Sequence, residues 1–388
     1  MFNNTRFQQV LSPLPRQTLK SSVRRLEADR YSKSFTSSKH LIALIYGQMS
    51  GAKSLRELES AFNSQPSCHY HLGAKNIKKS TLADANKRRN PQVFRDVAEQ
   101  LMATVHRSQR RQVREFLYLL DSTPIQLKDH GFEWANENAT SRNRGFKLHL
   151  MINGRDHNPV YAHITDPNVN DITDAQRVPL ERGATYVFDK GYNSYSWWRD
   201  IDEAGSHFIT RFKKNVALSE VENLEVTSDE IETDQRVKLR HASNRAGHKN
   251  RYHGKILRRI TVARPGKLPL LLATNNLSSP ASEIAKLYRK RWDIELFFKW
   301  IKQNLKIKQF LGRNRNAVML QIYAALITYL LLWLYRSQNG FDTSLHLLAV
   351  SLKGQLFNRL DTEYQRKRRR WRREQRQEIE RRQYALPL

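Results

Sequence analysis

Two apolar runs, each closed by an aspartate, constrain this chain most. Phe116-Leu117-Tyr118-Leu119-Leu120 leads directly into Asp121, and Ala184-Thr185-Tyr186-Val187-Phe188 leads into Asp189. Continuous runs of this kind do not alternate as a half-wet strand would, so both predict central strands buried on both faces. Around them, residues 145–152 (GFKLHLMI) and 160–165 alternate like neighbouring strands, with a turn at Asn153-Gly154. Residues 193–204 predict a helix, residues 207–212 a further strand, and residues 268–274 (LPLLLAT) a returning core strand. This is an α/β sequence. Carboxylates at the ends of adjacent buried strands project into one crevice. Strand-end aspartates also start turns or cap helices, a use left open by Ser122-Thr123-Pro124 and by Lys190-Gly191-Tyr192.

A third acid comes from a helix predicted over residues 281–306 (ASEIAKLYRKRWDIELFFKWIKQNLK). Tyr288, Arg291, Glu295 and Lys302 are spaced three, four and seven residues apart, which places them in an arc of roughly 60°. Leu287, Ile294, Phe298, Ile301 and Leu305 form an inward stripe beside it. An acid, two cations and a phenol along the rim of a buried face suit a phosphate and a metal ion. An ordinary Arg291–Glu295 pair on a solvated face accounts for the same spacing. Clustering Asp121, Asp189 and Glu295 becomes favourable when a divalent cation binds between them.

The net charge of +30 over 388 residues points to a polyanionic partner, because Lys and Arg displace the counterions of nucleic acid. A hydrophobic content of 39% is enough for an ordered core. The single Cys68 allows no internal disulfide and fits a reducing compartment. Residues 1–4 lead into no apolar run, so no signal peptide is expected. Residues 317–335 (AVMLQIYAALITYLLLWLY) have the length of a bilayer span, but Gln321, Thr328 and three tyrosines favour a buried core helix, with no membrane partner.

Residues 1–115 carry 21 Lys and Arg against 8 Asp and Glu, in short helical patterns. Phe35-Thr36-Ser37-Ser38 reads as a helix start and Ser54-Leu55-Arg56-Glu57 as a capping box, which suits a helix-turn-helix-like DNA reader or a basic bundle. Cys68-His69-Tyr70-His71 lacks the second Cys pair of a structural zinc site and reads as loop. Lys147 and His149 share one face of their strand and are candidates for DNA contact beside Asp121. Residues 214–267 are charged, with β-like pieces, and read as an insertion. Residues 363–383 carry ten Lys and Arg against four Glu, as a solvated basic tail does.

These residues resemble the bacterial insertion-sequence transposases of the DDE class, in the IS-four group with the YREK signature. Tyr288, Arg291, Glu295 and Lys302 match that signature, Asp189-Lys190-Gly191-Tyr192 matches the motif of the second acid, and Asp121-Ser122 matches the first. The resemblance covers at least residues 115–337. It implies a ribonuclease-H-like mixed sheet flanked by helices, interrupted by a β-rich insertion and preceded by an all-helical domain. It also implies that Asp121, Asp189 and Glu295 hold the metal, two Mg²⁺ ions or Mn²⁺, while Tyr288, Arg291 and Lys302 contact DNA phosphates. Some members of the group stack a flipped base on an aromatic residue of the insertion. This insertion has no Trp, leaving Tyr252 and His253 as the candidates.

The expected domains are a helical basic DNA-binding domain (1–112), a catalytic core in two parts (113–213 and 268–340), the insertion (214–267) and a helical basic tail (341–388). The expected function is a bacterial DNA transposase acting in the cytoplasm at the nucleoid. It would cleave the inverted-repeat ends of its element and join the 3′-hydroxyl to target double-stranded DNA, as a homodimer that pairs two ends. The rivals are a metal-dependent nuclease without joining and a DNA-binding regulator with an inactive core.

Overall fold

The apolar run before Asp121 becomes β1 (Leu117–Gln126), near the middle of a nine-stranded sheet among the described residues. The other strands are β2 (Gly145–Asn153), β3 (Pro159–Thr165), β4 (Thr185–Phe188), β5 (His207–Arg211), β6 (Leu218–Asn223), β7 (Ile231–Leu239), β8 (Ile256–Val262) and β9 (Leu270–Thr274). The sheet order is β3-β2-β1-β4-β5-β9-β8-β7-β6. β1, β4 and β5 are parallel, β2 pairs antiparallel with both β1 and β3, and β5 meets β9 antiparallel. The first five strands therefore have the order and directions of a ribonuclease-H-like sheet. The charged insertion adds no separate body. Its strands β6, β7 and β8 continue the same sheet through β9, and the Arg258 guanidinium is buried against Asp234.

The computed structural model describes residues 5–110, 116–127, 130–136, 144–243, 247, 249–305, 309–358 and 370–378. Helices in chain order are α1 (Arg6–Val10), α2 (Arg16–Arg25), α3 (Ser37–Ser50), α4 (Leu55–Asn63), α5 (His69–Leu72), α6 (Lys79–Arg88) and α7 (Gln92–Arg110). They continue as α8 (Asp171–Ala175), α9 (Tyr195–Glu203), α10 (Ala281–Arg289), α11 (Trp292–Asn304), α12 (Arg315–Asn339) and α13 (Leu345–Leu352). The chain forms two units, a helical one of residues 1–105, 129–134 and 300–388 and a sheet unit of residues 106–128 and 135–299. The expected second half of the core, 268–340, is thus divided near residue 300. Its long apolar helix α12 belongs to the helical unit.

In that unit α12 packs against α1, α3, α6 and α13. It buries Val318, Ile322, Leu326, Ile327, Leu330 and Leu331 completely, each worth about 1.5–3 kcal/mol of transfer free energy. Among the described residues it alone is long and apolar enough to cross a membrane, yet 89% of its apolar window lies inside the protein. Asn314 caps its start through the Ala317 N–H, and Gly340 ends it at φ 63°, where a Cβ would be strained. The expected caps at Thr36 and Ser54 also form, each accepting a backbone N–H three residues on. Cys68 closes a short 3₁₀ turn and His69-Tyr70-His71-Leu72 forms α5, with His69 buried and its Nε2 against the Phe62 carbonyl.

In the sheet unit, α8 and α9 cover one face with Tyr186, Phe188, Trp197, Trp198 and Phe208 in the core. α10 lies against β4, β5 and β7. The single helix expected over residues 281–306 is two. Arg291 N–H bonds to Tyr288 O and Asp293 N–H to Lys290 O, tighter three-residue steps that break the α-helical ladder at Lys290-Arg291. That break re-aims Arg291.

Candidate active site

Asp121 lies inside β1, not at its end, and its neighbour across the sheet is set by register. Leu119 pairs with Val187 and Leu120 with Phe188 in the parallel β1–β4 ladder, so the next step sets Asp121 beside Asp189 on one face. Capping is not the use of either carboxylate. Asp189 precedes a 3₁₀ turn without a side-chain cap bond, and Asp121 Oδ1 accepts the N–H of its own neighbour Ser122 at 2.8 Å.

The helix break brings the third acid into the same group. Arg291 reaches Asp121 Oδ2 at 3.4 Å through Nη1 and Glu295 Oε1 at 2.8 Å through Nη2. Arg211, the cation that closes β5, donates Nε to Asp189 Oδ1 at 3.0 Å and also reaches it through Nη2. Tyr288 is buried, and its hydroxyl faces the Arg211 and Arg291 guanidiniums. Asp121, Asp189, Glu295, Arg291 and Tyr288 therefore meet in the sheet unit. Lys302 sits on the last turn of α11, in the helical unit.

The electrostatics separate the acids. Burial pushes the Asp121 carboxyl up to about 6, against the Ser122 N–H and Arg291, and the charges of Glu295 and Asp189 push the same way. Asp189 also suffers from burial, but the Arg211 guanidinium outweighs it and holds the carboxyl below its usual range. Arg291 is held charged more firmly than usual, since Tyr288, Glu295 and Asp121 overcome the cost of its burial. Burial raises the Tyr288 phenol, so it stays a neutral donor at physiological pH.

Ser122 points to the opposite face, as strand alternation requires. Its hydroxyl donates to Asp171 Oδ1 at 2.7 Å, and Lys147 Nζ lies 3.3 Å from the same oxygen. Lys147 also donates to the Val169 carbonyl at 2.9 Å. His149 pairs across from Ser122, is 2% exposed, and bonds Thr165 Oγ1 through Nε2. The expectation that Lys147 and His149 approach DNA beside Asp121 is therefore corrected. They do share a face, but it is the one under α8, where Lys147 pairs with Asp171 and His149 lies within 4 Å of Asp171 and Asp174. The Tyr252 ring is not presented to solvent: it is 1% exposed, edge-on to Trp198 and Phe208. Sequence reasoning missed Arg211 and Asp171. A lone cation ending the apolar run His207–Phe212, one strand from Asp189, was the available signal for the first.

The donor set suits a hard divalent cation, being three carboxylates of which Glu295 and Asp189 both raise the proton affinity of Asp121. Among the described residues, no three His, Cys, Asp or Glu side chains already converge as a ligand shell. Guanidiniums of Arg291 and Arg211 hold one carboxylate oxygen of each of the three acids.

Residues 116–331 match the transposase DDE domain family, and residues 2–75 match a domain of unknown function, DUF4372. The protein named transposase y4zB of Sinorhizobium fredii is 44% identical over 253 residues, 65% of this chain and 69% of that protein. The transposase for insertion sequence element IS5377 of Geobacillus stearothermophilus is 27% identical over 279 residues, 68% of this chain and 70% of that one. A solved piggyBac transposase synaptic complex with hairpin DNA overlaps 94% of this chain and 80% of its own, with a TM-score of 0.46 and 9% identity. A domain match across more than half of the chain, joined to the first of these relatives, leaves one conclusion: the chain belongs to the DDE transposases, enzymes that act on DNA.

Proposed function

We propose that this transposase binds the terminal inverted repeats of an insertion sequence, hydrolyses the phosphodiester at each end, and joins the freed 3′-hydroxyl to target DNA. The meeting of Asp121, Asp189 and Glu295 from β1, β4 and α11 around two guanidiniums carries this reading. DDE transposases depend on divalent metal, and Asp121, Asp189 and Glu295 would hold it here, Mg²⁺ as two ions or Mn²⁺ in its place. When bound, the metal activates the attacking oxygen and stabilises the leaving one. Arg291 would then exchange its carboxylate partners for a phosphate, for which its fork is shaped, with Tyr288 donating its hydroxyl and Lys302 adding a point charge. A cation bound there would favour the ionised form of Asp121, whose proton affinity burial raises. Two ends imply two protomers, so a homodimer is proposed in the DNA complex, acting in the cytoplasm on nucleoid DNA.

A strand-transfer assay tests this. Pre-cleaved ends incubated with Mg²⁺ and a target plasmid are expected to give joined products. Cleavage of intact ends without joining would leave a nuclease, and end binding with neither reaction would leave a regulator.

Asp171 acts behind this site as a positioning residue, through Ser122, whose N–H orients Asp121. Asp171→Ala is expected to raise the Mg²⁺ concentration for half-maximal cleavage about tenfold, as second-shell losses do. Asp171→Asn keeps the acceptor for Ser122 Oγ and is expected to retain most of the wild-type midpoint. A fold defect alone would lower the active fraction and leave that midpoint unchanged.

A further inference from the structure

Among the described residues only Glu27, Tyr31 and His157 combine a side chain with positive φ, and two of the three lie in the loop between α2 and α3. Tyr31 has φ 65°, a conformation that a bulky side chain adopts only under strain. The side chain gains no burial in return, since the residue is 89% exposed. The loop is nonetheless firmly built. Ala28 N–H bonds to Val23 O at 3.0 Å, Arg30 N–H to Glu27 O at 2.9 Å, and Ser32 N–H to Asp29 O at 2.8 Å. Asp29 turns inward to accept both the N–H and the hydroxyl of Ser37 at 2.7 Å, and Arg89 donates to the carbonyls of Phe35 and Thr36. A rigid turn thus holds one aromatic ring out in water.

The surroundings say what the ring meets. The Arg30 guanidinium lies 5.3 Å from the Tyr31 ring centroid, and Lys33 is exposed two residues on. Residues 16–39 hold seven Lys and Arg against two acids, one of them the inward Asp29 and the other Glu27, paired with Arg30. Beside the ring opens a cleft of about 450 Å³ lined in part by Lys33, Arg88 and Arg89. An exposed aromatic face with guanidinium and ammonium groups around it matches a nucleotide, whose base or sugar stacks while its phosphate is neutralised.

We infer that the loop between α2 and α3 is a DNA-contact element separate from the DDE site, in which Tyr31 stacks on a base or deoxyribose and Arg30 and Lys33 bind the flanking phosphates. This rests on the reading of the chain as a DNA-binding transposase. It assigns a role to a loop within the segment that matches a domain of unknown function.

The test uses the full chain, metal-free, with a mixed-sequence DNA duplex followed by fluorescence anisotropy across a salt series. Tyr31→Gly is expected to melt at a higher temperature than wild type, since glycine relieves the positive φ, and to bind the duplex about tenfold more weakly at an unchanged salt slope. Arg30→Gln and Lys33→Gln are each expected to reduce the slope of log Kd against log salt by about one. Wild-type affinity in Tyr31→Gly overturns the inference. So does weak binding with a lower melting temperature, because the tyrosine would then serve the fold, and so does a wild-type chain that binds no duplex. Cleavage is read separately, with Mg²⁺: its failure while the Tyr31 effect on binding stands counts against the catalytic reading alone.

Discussion

Glu295→Gln is expected to lower end cleavage by roughly 10³-fold or more while leaving DNA binding within a few fold of wild type. Gln keeps the shape of Glu and an oxygen that can still accept from Arg291 Nη2, now at 2.8 Å, so the break between α10 and α11 is preserved. Stability should hardly move, because the hydrogen bond to Arg291 is kept and the Glu295 side chain is partly exposed. What is lost is one negative charge of three. In the wild type, Asp121 is already disfavoured as an anion by burial and by its acidic neighbours, a cost that a bound cation would offset. Two measurements check this. Single-turnover cleavage should fall with end affinity intact, and the rise in melting temperature caused by added Mg²⁺ should shrink, since a ligand stabilises only the state that binds it. A variant that cleaves normally removes Glu295 from the catalytic group and leaves it the salt-bridge partner of Arg291.

Much of this site was legible because buried parallel strands leave an unusual mark. β1 and β4 are wet on neither face at the positions before their acids, so their runs read as continuous, and an aspartate after such a run stands out. The helical spacing of Arg291 and Glu295 was equally plain, and those two do pair. What the spacing could not carry was the break between them. The three-residue steps around Lys290-Arg291 leave Ile294, Phe298, Ile301 and Leu305 of the inward stripe buried, so the hydrophobic pattern is blind to them, yet they decide where the guanidinium points. Alternation showed that Lys147 and His149 share a face and could not say which. The answer depends on α8, whose Asp171 draws Lys147 away from the Asp121 side, while His149 is buried beneath Asp171 and Asp174 with burial lowering its pKa. Tyr252 reads as solvent-facing in a charged insertion, but its strands continue the main sheet, and the ring fills the space beside Trp198. Likewise α12 was identified as a core helix, while the unit whose core it forms was not, because an apolar helix does not specify its partner.

Acidification is expected to destabilise the helical unit between about pH 6.5 and pH 3, by on the order of 4 kcal/mol in total, through His40 alone. His40 on α3 is completely buried, with Nε2 at 2.8 Å from Asn86 Oδ1 and its ring tilted against Phe35 and Phe94. Burial first, and then the nearby Arg89 guanidinium, lower its pKa to about 3, against a weaker opposing bond from Asn86. The folded chain therefore keeps the imidazole neutral where the unfolded chain protonates it. The unfolded state binds the extra proton throughout that window, so stability is fully present above pH 6.5 and drains away as pH falls toward 3. His40→Gln can still donate to Asn86 but cannot titrate. Urea midpoints followed by circular dichroism at pH 7 and pH 4 should show wild type losing clearly more than the variant, and equal losses would overturn the assignment. The consequence reaches the surface. Arg89, His40 and Asp29 form the buried node on which residues 35–37 are anchored, with Arg89 itself lowered to about 10 by burial. Protonating His40 sets a second cation against Arg89, so the carbonyl bonds that fix the base of the Tyr31 loop should loosen before the helical unit unfolds as a whole.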